Sequence, residues 1–190
     1  KWVFQAENMD RNFLGIEWRS SEIQAVNPAL ILILIPLFTW VVYPAINRFF
    51  PLTPLRKIGI GFFLVVPSFL IPAWLEHRIG LGETPDIGWQ LLSYLLLTSA
   101  EVMISVTCLE FSYTQAPRTM KSLVFGLFMA SVALGNLFTS LVNVFILNED
   151  GSSKLEGPSY YLFFAGAMFL TALLFVPVAM RYKEKTYLHE

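Results

Sequence analysis

The chain has 190 residues, of which 55% are hydrophobic and 14% charged, with net charge −1 and mean hydropathy +0.58, whereas soluble domains average about 45–50% apolar and about 25% charged residues. These values exclude water as the main solvent, and the absence of a basic tract or of aromatic and basic interleaving gives no reason to expect a nucleic-acid partner. A lone Cys108 rules out an intrachain disulfide, and with His77 and His189 far apart in polar flanks no metal site, cofactor or catalytic set is expected.

Residues 1–23 are too polar to span a bilayer and read as the end of a preceding helix followed by an external loop. The chain opens on Lys1 with neither Met nor signal peptide, so a preceding segment is expected. Residues 24–180 then carry five apolar runs, at 24–46, 58–75, 89–109, 123–147 and 159–180. Each approaches the roughly 20 residues an α-helix needs to cross a hydrocarbon core of about 30 Å. The expected fold is therefore an all-α integral membrane bundle with hairpin connections, ending in a polar tail at 181–190. Within the runs, Pro28, Pro36, Pro67, Pro72 and Pro177 are expected to interrupt helices, and Gly126, Gly135 and Gly166 to allow close helix contacts. Trp74 and Trp89 fall where interfacial anchors belong.

Positive residues set the orientation. Arg48, Arg56, Lys57, Arg118, Lys121, Arg181, Lys183 and Lys185 fall on one side, against Lys1, Arg11, Arg19, Arg78 and Lys154 on the other. This places the C-terminus in the cytoplasm of a multi-pass plasma (inner) membrane protein. The opposite side holds most of the loop acids, Glu149 and Asp150 among them.

The third run reads LLLTSAEVMISVTCLEF, residues 95–111. A charge at a bilayer centre costs roughly 2.5–3.5 kcal/mol on insertion scales, and such residues mark ion or substrate pathways. Glu101 lies twelve residues after Trp89, roughly 18 Å along a helix at 1.5 Å per residue, which is near the midplane. At 100° per residue Ser105 and Cys108 share its face, with Cys108 a buried free thiol, while Glu110 points the other way near the membrane surface. There it is expected to pair with Arg118 or Lys121. Asn136 and Asn143 share a face of the fourth run and are read as interhelical hydrogen-bonding groups.

SAEVMISVTCLEFSYTQAPRTMKS resembles the tenth-helix motif and following loop of the proton-coupled oligopeptide transporters, the POT or PTR branch of the major facilitator superfamily. IQAVNPALILILIPLF resembles the eighth helix of that family, and QAENMD the loop before it. The resemblance implies the C-terminal bundle of a transporter, from the end of helix seven through helix twelve. The N-terminal helical bundle, with its acid-rich motif and its basic ligands for the peptide carboxylate, would be a partner outside this sequence. The short link 76–88 lacks the large extracellular domain that animal members insert, which implies a bacterial member.

Carried over by position, Glu101 matches the tenth-helix glutamate of peptide amino-terminus recognition and proton coupling, and Asn27 the eighth-helix asparagine facing the same amino group. Ser105 would line that cavity, and Phe128 stands where many members have a pocket tryptophan. The implied activity is proton-driven symport of di- and tripeptides, with protons and lipid as the other partners and no covalent catalysis. The alternatives are a major facilitator transporter for another small solute and a non-transporting membrane scaffold.

Overall fold

The computed structural model describes residues 1–13, 15–20, 22–146 and 154–183, without the side chains of Ile16 and Arg118. Glu149 and Asp150, and Lys185 with most of the tail expected at 181–190, lie outside the described residues.

A short helix α1 (Trp2–Glu7) leads into a hairpin in which β1 (Asn12–Phe13) pairs antiparallel with β2 (Ile16–Glu17). Five helices of membrane-spanning length and apolarity follow, over Ile23–Asn47, Pro54–Gly80, Gly88–Gln115, Lys121–Phe145 and Pro158–Arg181. The first comprises α2 (Ile23–Leu37), a π-helical turn at Phe38–Val42 and α3 (Tyr43–Asn47). The second is α4 (Pro54–Gly80). The third comprises α5 (Gly88–Glu101), a second π turn at Val102–Val106 and α6 (Thr107–Gln115). The fourth and fifth are α7 (Lys121–Phe145) and α8 (Pro158–Arg181). Most helices outrun the apolar runs because hydropathy marks the hydrocarbon-crossing part alone. At α4, for instance, the Thr53 hydroxyl caps the Arg56 N–H at 3.4 Å, with Pro54 in the first turn.

The five prolines expected to interrupt helices lie inside continuous ones: Pro28 and Pro36 in α2, Pro67 and Pro72 in α4, Pro177 in α8. Each removes one ladder bond, but packing against neighbouring helices holds the rod together across the gap. The glycine expectation is also corrected. A Cβ at Gly126, Gly135 or Gly166 would meet nothing within 4 Å, so these positions open onto space. The close approach occurs at Gly61 of α4, where a Cβ would stand 2.6 Å from Ile104 Cγ1 and 3.2 Å from Met103 Cβ.

Helix α4 is the central post, packed against α5 on one side and α8 on the other. Edge-on pairs Phe62–Phe175 and Phe63–Phe169 and the stacked pair Phe69–Phe164 tie α4 to α8 at ring separations of 5.0, 6.3 and 6.1 Å. Helix α2 leans on α5. Helix α7 has no buried residue; its foot adjoins α6, and near its far end Asn143 Oδ1 accepts from the Tyr160 hydroxyl of α8 at 3.1 Å. Asn143 thus makes the interhelical bond expected of it, whereas Asn136 is exposed.

Two apolar clusters stack along the bundle. One joins Ala6, Met9, Ile23, Leu75, Ile87 and Tyr94; the other joins Leu34 and Phe38 to Val102 and Met103, and Leu30 packs against both. The second cluster draws on both π turns, and Thr39 of the first lines one cleft with Val102 and Val106 of the second. At the end carrying α1, Gln5 Nε2 donates to the Pro72 carbonyl and to Glu76 Oε2, both at 2.8 Å, and Gln90 Nε2 to the Trp2 carbonyl at 2.9 Å. These bonds fasten α1 across α4 and α5. Trp74 and Trp89 meet edge to face at 5.4 Å at the same end.

Candidate functional site

Between the two apolar clusters, α2 and α5 bring three polar side chains together. Asn27 follows Ile23 by one helical turn, and Thr98 follows Tyr94 by one turn, so both emerge just beyond the first cluster. Glu101 closes α5, immediately before the buried Val102 and Met103 of the second cluster. Thr98 Oγ1 donates to Asn27 Oδ1 at 2.5 Å, and Asn27 Nδ2 donates to Glu101 Oε2 at 3.4 Å. Thr98 is fully buried, while Asn27 and Glu101 are half-buried.

The two bonds differ in kind. At 2.5 Å the first is tight; at 3.4 Å the second is beyond the usual N–H···O range and weak. The amide is anchored on its Thr98 side and loosely tied to Glu101, whose carboxylate can therefore change partner at small cost. An ionised carboxylate only accepts hydrogen bonds, and an amide oxygen has two lone pairs. The pair therefore offers acceptors on two helices to a ligand rich in N–H donors, such as an ammonium group.

The structure places Asn27 and Glu101 in contact. Ser105 lies on the π turn, half-buried, and makes no side-chain hydrogen bond among the described residues. Phe128 lines a different cleft of about 400 Å³ with Cys108, Phe111, Ser112 and Ser131. Cys108 was expected buried and on the Glu101 face; it is half-buried and opens into that second cleft. The reason is the π turn, which inserts one extra residue and rotates everything downstream by about 100° relative to an unbroken α-helix. Glu110 lines a third cleft with Tyr43, Lys57, Val106 and Thr107. The Arg118 side chain of its expected ion pair lies outside the described residues, and among those described Glu110 forms no ion pair with Lys121.

Thr98 is the member of this hydrogen-bonded cluster that the sequence reading missed. The available signal was a polar residue three positions before Glu101, on the same helical face.

The POT family sequence profile, PTR2, matches residues 1–157. The chain belongs to the POT family. Peptide transporter PTR2 of Saccharomyces cerevisiae is 30% identical over 161 residues, which cover 77% of this chain and 27% of the yeast protein. The crystal structure of an auto-inhibited POT family peptide transporter superposes with a TM-score of 0.88 at 32% identity, covering 100% of this chain and 38% of that one. That of the POT family transporter PepTSo gives 0.82 at 34% identity, over 94% of this chain and 36% of that one. The match thus spans about a quarter to two fifths of these three proteins, and the fold of the chain is that of the multi-pass helical membrane transporters of the POT family.

Proposed function

We propose that this POT chain is the C-terminal part of a proton-coupled symporter that imports di- and tripeptides across the plasma (inner) membrane, with its C-terminus cytoplasmic. The observation that carries the proposal is the Asn27 and Glu101 pair, hydrogen-bonded across α2 and α5 between two apolar clusters. Its setting is a family whose yeast and rat relatives are named as a peptide transporter and as solute carrier family 15 member 2. In the proposal the peptide ammonium sits between Asn27 Oδ1 and the Glu101 carboxylate; Ser105, on the adjoining π turn, contributes cavity wall, and Phe128, which lines a separate cleft, takes no part in holding the ammonium.

Glu101 couples substrate to proton because its two forms treat the ammonium differently. As a carboxylate it attracts the cation through a charge-assisted hydrogen bond; protonated, it loses that attraction and releases the peptide. Alternating access requires a second bundle moving against this one, so the N-terminal bundle of the full-length protein is the obligatory partner.

The deciding experiment replaces Glu101 with Gln in the full-length protein, which keeps size and hydrogen bonding but removes the titratable proton. The variant is expected to lose peptide accumulation driven by a proton gradient while retaining gradient-free counterflow at saturating peptide. A well-expressed Glu101→Gln transporter that still concentrates peptide with normal pH dependence would refute the coupling role.

A further inference from the structure

A threonine in a membrane helix has a default use for its hydroxyl, the carbonyl four residues back on its own helix. Thr39, Thr139 and Thr171 follow it, donating to Ile35, Gly135 and Ala167 at 2.8, 3.0 and 2.9 Å. Thr98 does not. Its hydroxyl leaves α5 and donates at 2.5 Å to Asn27 Oδ1 on α2, from a position with no exposed surface.

We propose that Thr98 is the positioning residue of the site: it holds the Asn27 amide with its oxygen end fixed and its nitrogen end toward Glu101, and thereby sets the preference for ligands with a free amino group. This deepens the peptide reading above and rests on it.

An unanchored primary amide can rotate and present either end to the cavity. With Thr98 donating to Oδ1, the second lone pair of that oxygen remains available to an ammonium N–H, and Nδ2 is directed to the carboxylate. If Thr98 had no hydroxyl, the amide could turn Nδ2 toward the ligand, where a donor meets a donor. A hydroxyl also accepts hydrogen bonds, so Thr98 can retain the amide if protonation of Glu101 reverses it; valine, of the same shape, can do neither.

The test uses the full-length transporter with alanyl-alanine and N-acetyl-alanyl-alanine as probes. Thr98→Val is expected to raise the half-saturating concentration of alanyl-alanine roughly three- to tenfold, the loss typical of one hydrogen bond, with maximal rate unchanged. Binding of the acetylated peptide should hold, so discrimination between the two falls by the same factor. Thr98→Ser should restore the normal value, and Thr98→Ala supplies the measurement should the valine variant not fold. In an Asn27→Ala background, Thr98→Val should add less than about twofold, because a residue acting through Asn27 has nothing left to position.

Equal losses for both probes, or a Thr98→Val effect that persists without Asn27, would overturn the proposal in favour of plain packing. Normal discrimination in Thr98→Val beside weakened binding in Asn27→Ala would overturn it while sparing the peptide site. Unchanged alanyl-alanine affinity in Asn27→Ala would instead sink the peptide-site reading, and the Thr98 proposal with it.

Discussion

A methyl group added at Gly61 tests how closely α4 and the Val102–Val106 turn are fitted. The new Cβ would stand 2.6 Å from Ile104 Cγ1, about 0.8 Å inside the 3.4 Å at which ordinary contact begins. It would also lie 3.2 Å from Met103 Cβ and 3.3 Å from the Ala100 carbonyl oxygen. Val102 and Met103 are only 3% and 2% exposed, so the turn has little room to retreat. Overpacking of this kind costs about 1–3 kcal/mol. Gly166→Ala in α8 is the matched control, because nothing lies within 4 Å of its new methyl. Both substitutions share the helix-propensity gain of alanine over glycine, about 1 kcal/mol, which cancels in the comparison. Thermal unfolding of the two full-length variants in detergent should therefore place Gly61→Ala lower by the equivalent of about 1–3 kcal/mol. Equal midpoints would show that α4 and the π turn are not in close register and refute the packing argument.

Asn27→Ala should leave insertion and thermal stability near normal and weaken peptide binding about two- to tenfold, as read by competition against a labelled dipeptide. Unchanged affinity would remove Asn27 from the site. For topology, a cysteine introduced at Glu83 should react with an impermeant reagent in intact cells, whereas one at Lys121 should react only after permeabilisation. Labelling of the Lys121 position from outside would reverse the orientation drawn from the positive loops.

The five spans were legible because each presents a long apolar run with few charges, and length against bilayer thickness leaves few alternatives. Glu101 was legible for a related reason, since a carboxylate deep in such a run is costly enough to stand out, whereas Asn27, near the start of its run, was singled out only by the resemblance of IQAVNPALILILIPLF to the family's eighth helix. The π turns were hidden, since FTWVV and VMISV contain no Gly or Pro and differ little in pattern from their flanks. Cys108, past the second turn, was consequently placed on the wrong face. Gly61 and Gly166 cannot be told apart by residue type; only the neighbour across the interface distinguishes them. Thr98 escaped notice because a membrane threonine ordinarily bonds its own helix, and a departure from that habit exists only in three dimensions.

The paired π turns also bear on how this chain is aligned to others. Each holds one residue more than an α-helix needs, so a protein with an unbroken helix at either place would match this chain residue for residue up to Leu37 or Glu101. Past the turn it would fall out of step by a single position. An ungapped comparison would then set the wrong side chains against Cys108 and Glu110 while still showing plausible apolar matches, since most neighbours there are hydrophobic. A one-residue gap inside 38–42 or 102–106 restores the pairing, and those two windows are where an insertion or deletion in this part of the sequence belongs.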